Sequence, residues 1–221
     1  MLSMVTLVEV IWSSGKLSMV TSRQEKQTPG TSEYHHGGLR EALLDAVEAQ
    51  LPEKGPEGVS LRAAAKHAGV SSAAAFRHFK DKRAVMTAVA VRAHRGMAEH
   101  METAATEARS AGLSAFSAKG RAYLDFALSE PAKFKTMFRT ALLDETDVDL
   151  VEAEARMTRL LLNGAGEDEK HAEIPAKSLL AWGAVHGLAM LSIEGGLPNT
   201  ATKDNRSAIL EALELLEPQD E

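Results

Sequence analysis

SLRAAAKHAGVSSAAAFRHFKDKR, residues 60–83, reads as two short helices joined by a tight turn. Ser60 is placed to cap a first helix whose apolar positions are Leu61, Ala64, Ala65 and Ala68. Ala68-Gly69-Val70 then breaks the period, and Gly69 supplies the left-handed backbone that a sharp helix-to-helix turn needs. Ser71 is placed to cap a second helix running to about Phe79. Arg62, Lys66, Arg77, Lys80, Lys82 and Arg83 stand against a single acid, Asp81. Two helices, a glycine turn and a dense positive patch make a helix-turn-helix, which lays its second helix in the major groove while its flanks meet phosphates.

The run Ser60-Leu61-Arg62, Ala68-Gly69-Val70-Ser71, Phe76-Arg77-His78-Phe79 and Lys82 resembles, without a gap, the DNA-binding signature of the tetracycline-repressor-like (TetR) family. Tyr34-His35-His36-Gly37-Gly38-Leu39-Arg40 resembles the start of the first helix in one subgroup. Trp182-Gly183-Ala184-Val185-His186-Gly187 resembles the Trp-His-Gly element of that subgroup's C-terminal domain. Together these matches frame residues 34–194. The resemblance implies a ligand-responsive transcriptional regulator, usually a repressor, that binds a palindromic double-stranded operator as a homodimer. A small-molecule effector would then release it. It also implies that the position of Phe76 usually holds a tyrosine whose hydroxyl bonds a phosphate, a bond that phenylalanine cannot make.

Composition supports helices. Apolar residues make up 44% of the 221 residues, with Ala and Leu abundant and aromatics few. The absence of cysteine excludes disulfides and thiolate metal sites and fits a cytoplasmic protein. The net charge of −6 hides an asymmetry: residues 1–100 carry a small positive excess, and residues 101–221 carry the whole negative one. DNA contact is therefore expected in the N-terminal part alone. Residues 1–12 lack the basic start of a signal peptide, and the apolar run Leu179–Ile193 is too short to span a bilayer, so no membrane association is expected and the run reads as a buried helix.

The fold expected is all-α with about nine helices and no convincing strand. Residues 1–33 read as a disordered or over-called N-terminal extension. Leu2-Ser3-Met4-Val5-Thr6 recurs there as Leu17-Ser18-Met19-Val20-Thr21, a repeat with no physical account, and Met19 is an alternative start. Residues 34–83 form a three-helix DNA-binding head, its first helix at about 37–51 and stopped by Pro52 to Gly58. Residues 84–221 form a helical regulatory and dimerisation body. Its helices are expected at about 81–108 (capped by Asp81 and joining head to body), 113–129, from Pro131, 147–162, 175–193 and 204–217.

In the head, the recognition turn presents Ser71, Ser72, Ala73 and Ala74 before Phe76, Arg77 and His78. Serine bonds many bases and alanine packs only against thymine methyls, so direct readout is expected to be modest. Arg62, Arg77, Lys80 and Lys82 are expected to set register on phosphates. Thr28–His36 is a candidate minor-groove arm. His35-His36 has no third ligand in view, and no metal or cofactor is expected.

In the body, Phe116, Tyr123, Phe126, Phe134, Met137, Phe138, Trp182, His186 and Met190 read as core or as the lining of an apolar effector cavity, with His186 a polar handle or a structural bond to a neighbouring helix. Gly183 and Gly187 allow another helix to approach closely. Together with Ile209, Leu213 and Leu216 they are candidates for the dimer face, close packing within one subunit being the alternative. No nucleophile, phosphate loop or HExxH pair appears, so an enzyme is not expected. The rival function is a helical sensor or interaction module whose head no longer reads DNA.

Overall fold

Three consecutive helices of this chain begin on a side-chain cap. The computed structural model describes residues 10–13, 16–19, 36–162, 176–197 and 211. Within it, Ser60 Oγ accepts the Ala63 N–H at 3.3 Å, Ser71 Oγ accepts that of Ala74 at 3.1 Å, and Asp81 Oδ1 accepts that of Ala84 at 2.8 Å. Those caps start α3 (Leu61–His67), α4 (Ser72–His78) and α5 (Lys82–Ser110). Before them come α1 (His36–Glu48) and α2 (Leu51–Gly58). After them come α6 (Ala115–Ser129), α7 (Pro131–Met137), a 3-10 turn at Thr140–Leu142, α8 (Val148–Leu162) and α9 (Ala176–Glu194). The all-helical expectation holds for the compact unit from His36 onward.

Three expectations need correction. Pro52 to Gly58 does not stop the chain: it forms α2, two turns kinked at Gly55, whose φ of 64° only glycine adopts without strain. A proline is tolerated in the first turn of a helix, so Pro52 and Pro56 each open a turn instead of ending one. No strand is expected, yet two short ones are described. Val10–Ser13 (β1) and Lys16–Met19 (β2) pair antiparallel, with Val10 opposite Met19 and Ser13 opposite Lys16, in a unit of their own. Finally, α9 is not wholly buried, because Leu179, Leu180 and Leu191 lie exposed. Of the helix expected at 204–217 only Glu211 is described, and it is helical; of the arm expected at Thr28–His36 only His36 is described, as the first residue of α1.

Two cores share one helix. The first gathers Leu43, Val47 and Leu51 near α1, Ala64 and Ala65 of α3, Ala75 and Phe79 around α4, and Val85, Met86 and Val89 of α5. The second gathers Met97, Ala98 and Met101 of α5 with Tyr123, Leu124, Phe134, Met137 and Val185. The cores meet between Val91 and Ala93, so α5 is common property of head and body. Its heptad-like repeats of apolar residues sit on more than one face, as a helix packed by α1, α6, α7 and α8 requires.

His94 lies in this spine, 4% exposed, and neither ring nitrogen has a hydrogen-bond partner among the described residues. Burial pushes its pKa down to about 4, with the Met137 backbone offsetting a little. In the unfolded chain the ring protonates near pH ~6.5. Between pH ~6.5 and ~4 the unfolded state therefore binds more protons, and stability falls as pH falls. We expect a loss of about 3 kcal/mol across that window in urea titrations. His94→Leu should flatten the profile, and an equal decline in that variant would contradict the assignment.

Candidate nucleic-acid interface and effector-binding body

The geometry of α3 and α4 is set from below by Gln50. Its Oε1 accepts the Ser60 N–H at 3.1 Å, and its Nε2 donates to Ser60 O at 3.2 Å and to Ala46 O at 2.9 Å. This amide grips both backbone groups of the residue that caps α3, fixing where the motif leaves the head core. Between the helices Gly69 adopts φ 71°, and the Val70 N–H returns to Ala65 O at 2.9 Å. On the inner side of α4, Ala75 and Phe79 are buried, and the Arg40 guanidinium stands 5.1 Å above the Phe79 ring.

Fixing the inner side turns the other outward. Ser71, Ser72, Ala73, Phe76 and Arg77 are exposed around the first turns of α4, and Arg62 is exposed on α3. Ser71 Oγ is occupied by its cap, so Ser72 is the freer hydroxyl. Ala74 and His78 are half-buried and stand at the rim. Lys80 is exposed and close enough to Asp144 to help hold that carboxylate below its ordinary range, behind the Thr146 bonds that dominate the shift. Lys82 is engaged differently, its Nζ donating to Glu57 O at the end of α2. Of the expected phosphate contacts, Arg62, Arg77 and Lys80 are thus the side chains free to turn outward, while Lys82 braces the fold.

Several residues that bind head to body carried no legible signal. Arg92 on α5 reaches three carboxylates of α1: Glu41 and Asp45 at 2.6 Å each and Glu48 at 3.1 Å. Glu48 also meets Lys133 of α7 at 3.3 Å. Thr87 Oγ1 donates to Arg83 O at 2.8 Å and accepts the Asp144 N–H at 2.9 Å, tying α5 to the segment before α8. Only an i,i+4 pattern on one helix is visible in a sequence, and these partners between elements lie 44 to 85 positions apart.

In the body the structure brings five of the expected rings together. Phe138 lies 4.5 Å from His186 and 5.1 Å from Phe134, and Tyr123 lies 5.5 Å from Phe134. Trp182 approaches His186 at 6.2 Å, and His94 joins through Phe138 at 6.3 Å. The Tyr123 hydroxyl shares a 2.8 Å hydrogen bond with His186 Nδ1. Burial raises the Tyr123 pKa, which a hydrogen bond with the Trp182 side chain partly offsets, and burial lowers that of His186. Both groups are therefore neutral near pH 7. Met137 is buried beside this cluster and Met190 packs on its edge. Phe126 stands apart on the α5 side near Gly96, and Phe116 borders a separate small cavity with Trp182.

That cavity measures about 30 Å³. Apolar side chains of α5, α6, α8 and α9 line it, including Met101, Leu160, Leu161 and Val185, together with Lys119 and Ser117. Neither polar residue stood out in the sequence, because a lone Lys or Ser in a helix is ordinarily solvated.

Helix α9 is apolar on two opposite sides. Ser178, Val185 and Ala189 are buried within the protomer. Leu180, Gly183, Gly187 and Leu191 follow one another at helical spacing on the other side, with Leu180 64% and Leu191 45% exposed. No atom of the described residues comes within 4 Å of a side chain built at Gly183 or Gly187. Close packing within the subunit does not account for these glycines among the described residues. Ile209, Leu213 and Leu216 lie outside them.

Comparison with known proteins agrees with this geometry. The model of "Bacterial regulatory proteins, tetR family" matches residues 43–89, and that of "Tetracyclin repressor-like, C-terminal domain" matches residues 116–214. The chain is 27% identical over 158 residues to the uncharacterized HTH-type transcriptional regulator YobS of Bacillus subtilis (strain 168), covering 70% of this chain and 79% of that one. Among solved structures it resembles a protein of unknown function from Rhodococcus sp. RHA1, with a TM-score of 0.68 and 29% identity over 83% of this chain and 96% of that one. It also shares its fold with the multidrug binding protein EbrR, solved with ethidium, at a TM-score of 0.56 and 18% identity over 82% of this chain and 99% of that one. No helix among the described residues is long and apolar enough to cross a membrane.

Gln50→Ala leaves the Ser60 N–H without its partner, while Ser60 O keeps the Ala64 N–H at 3.0 Å, and the lost bond costs about 1–3 kcal/mol. Thermal unfolding followed by circular dichroism should show the loss. An unchanged midpoint would mean that water replaces the amide and that the clamp does not hold the motif.

Proposed function

Because the chain belongs to the tetR family of bacterial regulatory proteins, we propose that it is a cytoplasmic, ligand-responsive regulator that binds a palindromic operator as a homodimer and leaves it when a small molecule occupies the body. The observation that carries this reading is the two-sided α4. Ala75 and Phe79 anchor it in the head core, and Ser72, Ala73, Phe76 and Arg77 face outward in the first turns, the part of a recognition helix that meets base edges. The division into a head (34–83) and a body (84–221) follows the same logic. So does repression as the direction of control, which is the family's usual one.

Dimerisation is assigned to the exposed side of α9, with Ile209, Leu213 and Leu216 contributed by the segment beyond it. A helix apolar on both sides, carrying two glycines that meet nothing among the described residues, is suited to a helix of a second copy. Two-fold pairing sets two heads on half-sites ~34–36 Å apart. The effector site is drawn from the ring cluster of Tyr123, Phe134, Phe138, Trp182 and His186 and the adjoining cavity at Phe116. The Trp-His-Gly subgroup is the reading of Trp182, His186 and Gly187. EbrR, of similar fold, is a multidrug binding protein, which supports a small-molecule ligand for this chain. Since Met97 and Met101 of α5 belong to the body core, a displacement there moves the same helix that carries Val85 and Met86 under the head. Two heads on one rigid dimer then lose the spacing that fills both half-sites.

Fluorescence anisotropy with the DNA flanking the gene tests the head. Arg77→Ala should weaken binding by a similar factor on every sequence and reduce the slope of log K against log salt by about 1. Unchanged affinity at physiological salt would remove Arg77 from the phosphate contacts. Absence of any salt-sensitive specific complex for the parent protein would favour the sensor whose head no longer reads DNA. For the dimer, Gly183→Leu with Gly187→Leu should give monomers by sedimentation and lose operator binding while keeping the helical spectrum. A variant that stays dimeric would place the interface elsewhere.

A further inference from the structure

The cavity beside Trp182 contains a buried cation with no counter-ion among the described residues. Lys119 is only 7% exposed, and its Nζ donates to Leu160 O at 2.7 Å in the last turn of α8. That bond satisfies one of the three N–H groups of an ammonium. No carboxylate among the described residues pairs with it. The nearest charged influence is the like charge of Arg109, which joins the dominant effect of burial in pulling the Lys119 pKa down. Ser117, two residues earlier on α6 and 8% exposed, lines the same cavity, and its hydroxyl has no partner among the described residues. A buried ammonium held by one bond and a buried hydroxyl without one are costly unless something else supplies the remaining bonds.

Capping α8 explains the bond to Leu160 and accounts for a lysine near a helix C-terminus. It leaves unexplained the open Ser117 hydroxyl and the remaining ammonium protons beside the same cavity. We propose that this cavity is the anchor of an amphipathic monocarboxylate: its oxygens accept from Lys119 Nζ and Ser117 Oγ, and its apolar tail follows the seam of Leu160, Leu161, Ala181 and Val185 between α8 and α9. The cavity is small, about 30 Å³, which favours a compact head group. The seam is apolar, so the tail gains by leaving water. Lys119 and Ser117 thus give the body a preference for anions that its aromatic rings alone do not have. This inference rests on the reading of the body as an effector domain, and it names the chemical class that the domain receives.

Octanoate, octan-1-ol and octylamine share one tail and differ in head group, and they test the proposal directly. Binding is read from Trp182 fluorescence in a Trp12→Phe background, which leaves one tryptophan. Octanoate should bind at least about tenfold more tightly than octan-1-ol, and octylamine more weakly than either. Lys119→Met should erase that preference while holding or raising the thermal midpoint, because an apolar side chain replaces a desolvated charge. A lysine that merely caps α8 would instead lower the midpoint and leave the preference intact, which overturns the proposal. Ser117→Ala should reduce the preference without touching the cap, a second test should Lys119→Met fail to fold. Equal binding of acid and alcohol overturns the anion site and leaves the effector reading standing. No binding of any of the three up to about 1 mM also overturns the proposal. Octanoate that binds with the expected preference but does not release operator DNA upholds the anion site and overturns the effector reading.

Discussion

One continuous helix serves two hydrophobic cores, and the rest of the molecule depends on that. Val85, Met86 and Val89 belong to the head core, Met97, Ala98 and Met101 to the body core, and a single backbone ladder from Lys82 to Ser110 joins them. An α-helix is stiff along its axis, so neither core can repack around α5 without the other feeling it. The ionic contacts act in the same direction. Arg92 meets three carboxylates of α1 from the middle of α5, and Thr87 holds the segment before α8 to the same helix. Under the proposed function, this is the connection through which occupancy of the body would reach the DNA-binding head.

How much of this was legible depended on the range of the interactions. The caps at Ser60, Ser71 and Asp81 and the left-handed turn at Gly69 were readable, because a cap and a positive φ are decided within four residues. The kinked α2 was not, since Pro52 and Pro56 carry the same local signal whether they break a helix or begin one. The hairpin at 10–19 was hidden because strands of four residues give too few alternations to count. Helix α9 was misread as buried for a related reason. Apolarity on all sides tells that a helix is covered, without telling whether its own chain or another covers it.

The candidate sites follow the same rule. The outward face of α4 was legible, because residues opposite Ala75 and Phe79 must face solvent once those two are buried. Lys82, expected among the phosphate contacts, also bonds Glu57 O across 25 positions, a partner that no pattern within one helix reveals. Tyr123 and His186 meet across 63 positions. Lys119 and Ser117 were missed because their significance is their burial, and burial of a polar group is decided by neighbours from three other helices. The head and the body also divide their chemistry. The head presents cations and a Ser-Ala turn with little capacity to tell bases apart; under the proposed function, DNA shape and the spacing of two heads would carry much of the choice of operator.

A footprint of the protein on the DNA flanking its gene tests the central claim most directly. The account requires two protected half-sites related by two-fold symmetry, centred about one helical turn apart, and fading together as salt is raised. Protection of one half-site alone, or none at any salt concentration, would contradict it.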